Sequence, residues 1–86
     1  MSGDTVAVDS EAVWPDDADD VEEAVVANWF ASEGSHVDEG STICEIQIEK
    51  VSVDVPAPTS GELIEVLVEE NGEFARGDPL GRISPD

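Results

Sequence analysis

The sequence predicts a small all-β domain, and two observations carry that prediction. Valine is the commonest apolar residue, and five prolines and seven glycines interrupt the chain, which favours short strands and turns over long helices. Residues 43–55 alternate between apolar and polar side chains, as a half-buried strand does. With 86 residues the chain forms one domain with a thin core, which argues against a large catalytic cleft.

The first part of the chain gives weak signals. Residues 1–12 are polar apart from a brief alternation at Val6 and Val8, which predicts either a tail or a first edge strand. Residues 16–34 are ambiguous. Asp20 and Glu23 make a passable helix start, and the local pattern slightly favours a helix, although the run VVANWF is rich in strand-forming residues.

The stretch ICEIQIEKVSVDVPAP, residues 43–58, predicts a hairpin. From Cys44 to Ile48 the apolar residues alternate on even positions, and from Val51 to Val55 on odd positions, so one continuous strand would place the two sets on opposite faces. A turn at Glu49-Lys50 restores a single apolar face. It pairs residues across the two strands as Ile48/Val51, Ile46/Val53 and Cys44/Val55. Because the turn lacks Asn-Gly or Asp-Gly, its type stays open, and a longer loop from Ile48 to Val51 is possible.

Turn-forming residues divide the rest of the chain. They predict, in order, a connection between Gly34 and Gly40, an end to the second hairpin strand at Pro56 and Pro58, a turn at 59–61, a strand over 62–70, a turn at Asn71-Gly72 and a closing segment over 73–83.

A weak internal repeat accompanies these elements. When Gly40 is aligned with Gly77, three apolar pairs coincide: Val37 with Phe74, Ile43 with Leu80, and Ile46 with Ile83. The repeat predicts two similar halves around one core, with the Lys50 hairpin in the first half only.

The charge is extreme, with 22 acidic residues against three basic ones and a formal net charge of -19. Such a surface makes nucleic acid an improbable partner. The acidic residues are spread among apolar ones, so they indicate a solvated surface and not a disordered tail. Because molar salt screens this self-repulsion, we expect a source with a salty cytoplasm, in preference to an ordinary acidic protein.

The sequence shows no route into or across a membrane. No apolar run approaches the roughly 20 residues that span a bilayer. The start MSGDTVAVDS lacks the basic and apolar regions of a signal peptide, and the single cysteine, Cys44, forms no internal disulfide. These features predict a cytoplasmic location.

Residues 45–83 resemble the biotin/lipoyl attachment family, and specifically the lipoyl domains of 2-oxoacid dehydrogenase complexes. The matching residues are Glu49 and Lys50, the alternating strand to Pro56-Ala57-Pro58, and the turn glycine Gly61. The resemblance implies a flattened barrel or sandwich of two four-stranded antiparallel sheets with quasi-two-fold symmetry. It also makes residues 24–34 a strand. The implied lipoyl domain covers residues 13–83, with 1–12 a tail or edge strand and 84–86 a short polar tail.

The resemblance also implies the function. Lys50 would carry covalently attached lipoic acid and move acyl groups and reducing equivalents between the active sites of separate enzymes, with Glu49 and Val51 as flanking recognition residues. The domain would have no active site of its own and would be monomeric when isolated. The implied partners are a lipoate ligase or lipoyl transferase, the thiamine-diphosphate-dependent E1, the acyltransferase E2 core and the dihydrolipoamide dehydrogenase E3.

Three departures from the family pattern leave the attachment point intact: Ile48 where a small polar residue is common, Glu49 in place of aspartate, and Asn71 in place of a glycine.

The nearest competing interpretation is a biotin carrier domain of a carboxylase. Such domains usually place methionine on both sides of the lysine, whereas the only methionine here is Met1. A glycine-cleavage carrier is also a lipoyl protein but is normally longer, and an unmodified structural or binding β-domain would leave the motif around Lys50 unexplained. The initiating residues and the short polar end favour a free-standing protein over a piece of a longer acyltransferase.

The remaining chemically capable residues have plainer interpretations. No second ligand or nucleophile lies near His36 in sequence, which predicts a loop residue, and Cys44 falls in the apolar strand set as a small buried side chain. Trp14 and Trp29 are expected at core or sheet-face positions, with a strand end at Trp14-Pro15. Arg76 and Arg82 are expected to pair with carboxylates. Residues 16–20 lack the spacing of a calcium loop, which predicts a solvated loop.

Overall fold

The computed structural model describes residues 4–86, which form eight β-strands and contain no α-helix. The predicted all-β class is therefore confirmed. Within the described range, no helix is long and apolar enough to cross a membrane. The strands are β1 (Val6–Asp9), β2 (Glu23–Trp29), β3 (His36–Val37), β4 (Thr42–Ile48), β5 (Val51–Pro56), β6 (Gly61–Val66), β7 (Glu73–Ala75) and β8 (Pro79–Pro85), with short 3-10 helices at Ser10–Val13 and Asp16–Ala18.

The strands form two four-stranded antiparallel sheets. One has the order β1-β8-β6-β3 and the other the order β5-β4-β2-β7. Among residues 4–86 no strand pair joins the two sheets, so the fold is an open sandwich and not a closed barrel. The expected pair of four-stranded sheets is confirmed.

The two sheets are related by the expected quasi-two-fold symmetry. Exchanging the first four strands with the last four, in order, converts one sheet order into the other. Hydrogen bonds repeat as well: the Gly34 N–H donates to the Leu63 carbonyl, the Asn71 N–H donates to the Val26 carbonyl, and both are 2.7 Å long. Gly34 and Asn71 both have left-handed backbones, at φ 91° and 69°. Asparagine is therefore a workable substitute for glycine at that turn.

The apolar side chains that face each other across the sandwich form one core. All six apolar positions of the sequence repeat are buried in it. The fully buried large side chains are Val8, Val26, Ile43, Ile46, Ile48, Val55, Leu63, Leu80 and Ile83.

The ambiguous segment forms strand β2, which confirms the strand that the family resemblance implied, whereas the local preference for a helix was wrong. β2 lies between β4 and β7, and Ala24 and Val26, two positions apart, both point into the core. Pairing on both sides of the strand outweighs the weak helical pattern. The strand ends at Trp29, earlier than Gly34.

Two other boundaries differ from the sequence prediction. The strand expected over 62–70 ends at Val66, because Leu67 and Val68 both donate their N–H to the Leu80 carbonyl and turn the chain. His36 lies on the short strand β3 and not in a loop, since β3 pairs with β6.

The chain ends also carry strands. Val6–Asp9 form an edge strand paired with β8, which is one of the two forms expected for residues 1–12; residues 1–3 lie outside the described range. Strand β8 continues to Pro85.

The expected strand end at Trp14 was wrong, because Trp14 follows the 3-10 helix Ser10–Val13 and its indole N–H donates to the Ala18 carbonyl at 2.9 Å.

Candidate functional site

The hairpin that carries Lys50 has the predicted register. Ile48 pairs with Val51, Ile46 with Val53 and Cys44 with Val55 across β4 and β5. Only Glu49 and Lys50 lie between the strands, so the turn has two residues and the longer loop is excluded. The parity change in the sequence therefore located the tip correctly.

The backbone of this turn is held in an uncommon conformation at Glu49. Its φ is 56°, in the left-handed region that few residues other than glycine and asparagine adopt. Lys50 has no positive φ. The turn therefore depends on a residue that tolerates a positive φ at its first central position.

The turn presents Lys50 to solvent. Lys50 is exposed, and its amine forms no ion pair with any of residues 4–86. The other two basic residues do have carboxylate partners, as predicted: Arg76 with Glu11 at 3.0 Å and Arg82 with Glu65 at 3.8 Å. Lys50 is thus the accessible, unpaired cation of the described chain.

The strand residues that flank the turn differ sharply in burial. The Ile48 side chain is fully buried, whereas Val51, directly opposite, is 44% exposed. The apolar face of the hairpin therefore leaves the core at its tip. Ile48 anchors the tip, and Val51 offers an apolar surface beside Lys50.

A shallow groove with a carboxylate rim lies on the outer face of the second sheet next to the tip. It has a volume of about 430 Å³ and includes Glu23, Val25, Gln47, Glu49 and Glu73 in its lining. Val25 pairs with Gln47 on one side and Glu73 on the other. Of these residues, only Gln47 and Glu49 are close to Lys50 in sequence. Glu23 and Glu73 reach the site through strand pairing, and no pattern in the sequence indicates them.

The other chemically capable residues lie away from the tip. Cys44 is buried, as predicted, and burial raises the pKa of its thiol to about 12, so it is not a nucleophile. His36 is on the first sheet, where its Nε2 lies 3.0 Å from the Asp86 carboxylate. The structure does not bring either residue to Lys50.

Arg76 links residues 10–20 to the rest of the domain through ion pairs and a contact with an aromatic ring. Its guanidinium pairs with Glu11 and Asp19 and lies 5.8 Å from the centre of the Trp14 ring. Hydrogen bonding to Glu11 raises the pKa of Arg76. The acidic run 16–20 therefore includes a 3-10 helix and an ion pair, and its residue Asp20 lines a second groove together with Glu49.

Comparison with known proteins settles the family. The sequence model of the family described as "Biotin-requiring enzyme", which covers biotin and lipoyl attachment domains, matches residues 10–83. The chain belongs to the biotin/lipoyl attachment family. The matched residues include Lys50, the single lysine, which is exposed on a tight turn and forms no ion pair within residues 4–86.

Curated relatives within this family are acetyltransferase components. The dihydrolipoyllysine-residue acetyltransferase components of the pyruvate dehydrogenase complexes of Staphylococcus aureus and Staphylococcus epidermidis are each 34% identical to this chain over 73 residues. The match covers 84% of this chain and 17% of the relative's length. The chain thus spans about a sixth of the length of these relatives.

Solved structures agree with the fold. The lipoyl domain of the 2-oxoglutarate dehydrogenase complex from Azotobacter vinelandii is 27% identical, with a TM-score of 0.68, and the match covers 90% of this chain and 95% of that one. A single-chain, multi-domain long-chain acyl-CoA carboxylase has a TM-score of 0.78 at 19% identity, over 100% of this chain and 8% of that one. At that identity the carboxylase shows the shared fold alone.

Proposed function

We propose that this chain is a lipoyl carrier domain of a 2-oxoacid dehydrogenase complex and that Lys50 is its attachment site. The observation that carries the proposal is the position of the single lysine, exposed and unpaired, on the two-residue tip of a family hairpin. The names of the staphylococcal relatives and of the Azotobacter lipoyl domain support lipoic acid over biotin.

Residues next to Lys50 in the chain position its amine in solvent. Ile48 is fixed in the core, and the left-handed Glu49 turns the chain so that Lys50 projects beyond the sheet. Because no carboxylate of the described chain pairs with the amine, it is free to meet an activated acyl donor. When attached, lipoic acid supplies a dithiolane that accepts acyl groups and electrons.

The domain serves enzymes and is not one itself. Its single thiol, Cys44, is buried with a raised pKa, and the groove beside Lys50 has a carboxylate rim that suits recognition. Its partners are a lipoate ligase or lipoyl transferase, then the E1, E2 and E3 components of the complex. Glu49 and Val51 contribute to recognition at the tip. We place the domain in the cytoplasm as a monomer.

Intact-mass analysis after incubation with lipoate, ATP and a lipoate ligase tests the proposal. We expect a lipoyl-sized increment on the wild type and none on Lys50→Arg, which keeps the positive charge. A parallel incubation with biotin and a biotin ligase tests whether the chain is instead a carboxylase carrier. Absence of the lipoyl increment, or a biotin-sized increment in the parallel reaction alone, contradicts the lipoyl assignment.

A further inference from the structure

Strand β5 has a free edge beside Lys50. It lies at the end of its sheet and has β4 as its only neighbour in the described chain. Ile48 and Val51 flank the two-residue turn as the first and fourth residues of a β-turn, and the Val51 N–H points toward Ile48. Backbone groups alternate in direction along an antiparallel strand, so the N–H and C=O groups of Ser52 and Asp54 point away from β4.

The free part of this edge is the half nearest to the tip. Farther along, the 3-10 helix Ser10–Val13 packs beside β5, and Pro56 supplies no N–H donor. Ser52 and Asp54 are both exposed. The open edge therefore consists of two outward-facing residues that start next to Lys50.

We propose that this open edge of β5 pairs with an extended, positively charged segment of the enzyme that modifies Lys50. The pairing adds a strand to the sheet, with main-chain hydrogen bonds at Ser52 and Asp54. The inference rests on the proposed function, because it presumes that such an enzyme visits Lys50.

The position of the edge suits this partner. Strands rise about 3.3 Å per residue, so Ser52 and Asp54 lie roughly 7 and 13 Å along the chain from Lys50. A segment paired there holds its enzyme within reach of the lysine amine and fixes the orientation of the hairpin.

Charge indicates what kind of segment pairs there. Asp54 lies on the edge itself, Glu49 precedes Lys50, and the whole chain carries a formal net charge of -19. A second copy of this chain would bring Asp54 close to its counterpart and would meet the repulsion of the whole surface, which acts against self-pairing. A segment with lysine or arginine side chains complements this edge.

Amide hydrogen exchange followed by NMR tests the inference on the wild-type domain. In the free domain we expect slow exchange at Val53 and Val55 and fast exchange at Ser52 and Asp54. With excess lipoate ligase, in the absence of lipoate, the Ser52 and Asp54 amides should become at least about tenfold more protected. If the ligase lipoylates Lys50 yet leaves both amides unprotected, the edge pairing is wrong and the proposed function stands. Failure of lipoylation itself contradicts the proposed function.

Backbone variants provide a second test. Asp54→Pro removes an outward N–H without removing a hydrogen bond to β4, and Asp54→Ala removes the same carboxylate while keeping the N–H. We expect kcat/KM of lipoylation to fall about tenfold in Asp54→Pro beyond any loss in Asp54→Ala. Equal kcat/KM in the two variants, with equal melting temperatures, overturns the inference. If Asp54→Pro does not fold, the exchange measurement decides.

Discussion

Glu33 and Glu70 perform the same task in the two halves of the chain. The Glu33 carboxylate accepts a hydrogen bond from the Val66 N–H at 2.8 Å, and the Glu70 carboxylate accepts one from the Trp29 N–H at 3.0 Å. The alignment that matches Gly40 with Gly77 also matches these two glutamates. Each bond follows a register shift in β2 or β6. The internal repeat thus extends from apolar residues to the acidic residues that satisfy the backbone.

Removing either carboxylate should therefore weaken the fold. We expect Glu70→Ala to lower the free energy of unfolding by about 1 kcal/mol, and Glu70→Gln to lower it less, because the amide oxygen still accepts the N–H. Both variants remove one negative charge, so their difference isolates the hydrogen bond. Urea unfolding measures it, and equal stability of the two variants would show that the bond contributes nothing.

The left-handed backbone of Glu49 makes the turn sensitive to residue type. We expect Glu49→Asn to retain or increase stability and Glu49→Val to lower it by about 1 kcal/mol or more, because branched side chains resist positive φ. Thermal unfolding of the two variants measures the difference. A valine variant as stable as the asparagine variant contradicts the turn geometry described here.

Gly61 is required by close contact between two strands. A Cβ at this position would collide with the backbone oxygen of Ser84, on the neighbouring strand β8. We expect Gly61→Ala to destabilise the domain by about 2 kcal/mol, as overpacking does. Gly34→Ala is the control, since it has open space and only a left-handed φ, and it should cost about 1 kcal/mol. The reverse order of stabilities would be inconsistent with this contact.

His36 should titrate above its ordinary range. The hydrogen bond to Asp86, with a weaker contribution from Asp38, raises its pKa above 6.5. A raised pKa in the folded state means that the ion pair stabilises the fold fully below pH 6.5 and loses this effect as the pH rises through the folded-state pKa. NMR titration of the imidazole should show a lower pKa in Asp86→Asn than in the wild type. An unchanged pKa in that variant would exclude the interaction.

The net charge of -19 predicts strong dependence on salt. We expect stability to rise from dilute buffer to about 1 M KCl, where the screening length falls to roughly 3 Å and carboxylates repel each other less. Urea unfolding at both salt concentrations measures the effect. Equal stability at the two concentrations counts against an origin in a salty cytoplasm.

The hairpin was predictable from sequence because its information is local. The change of parity between Ile48 and Val51 fixes both the register and the tip, whatever surrounds them. The strand β2 was not predictable from its own residues, because Asp20 and Glu23 suggest a helix start and only pairing with β4 and β7 decides otherwise.

The site was predictable only in part for the same reason. Lys50 and Glu49 are adjacent, whereas Glu23 and Glu73 join the groove through strand pairing across long stretches of chain. The position of His36 likewise depends on Glu62 of β6, its partner across the strand pair. The sequence around Glu23, Glu73 and His36 has no periodic pattern that reveals their partners on distant strands.

The most direct test of the central claim is the mass of this chain isolated from the organism that makes it, with fragment mapping of any modification. We predict a lipoyl group on Lys50 in the wild-type chain and an unmodified Lys50→Arg variant. An unmodified wild-type chain, a biotin-sized group on Lys50, or a lipoyl group at any other residue would contradict the claim.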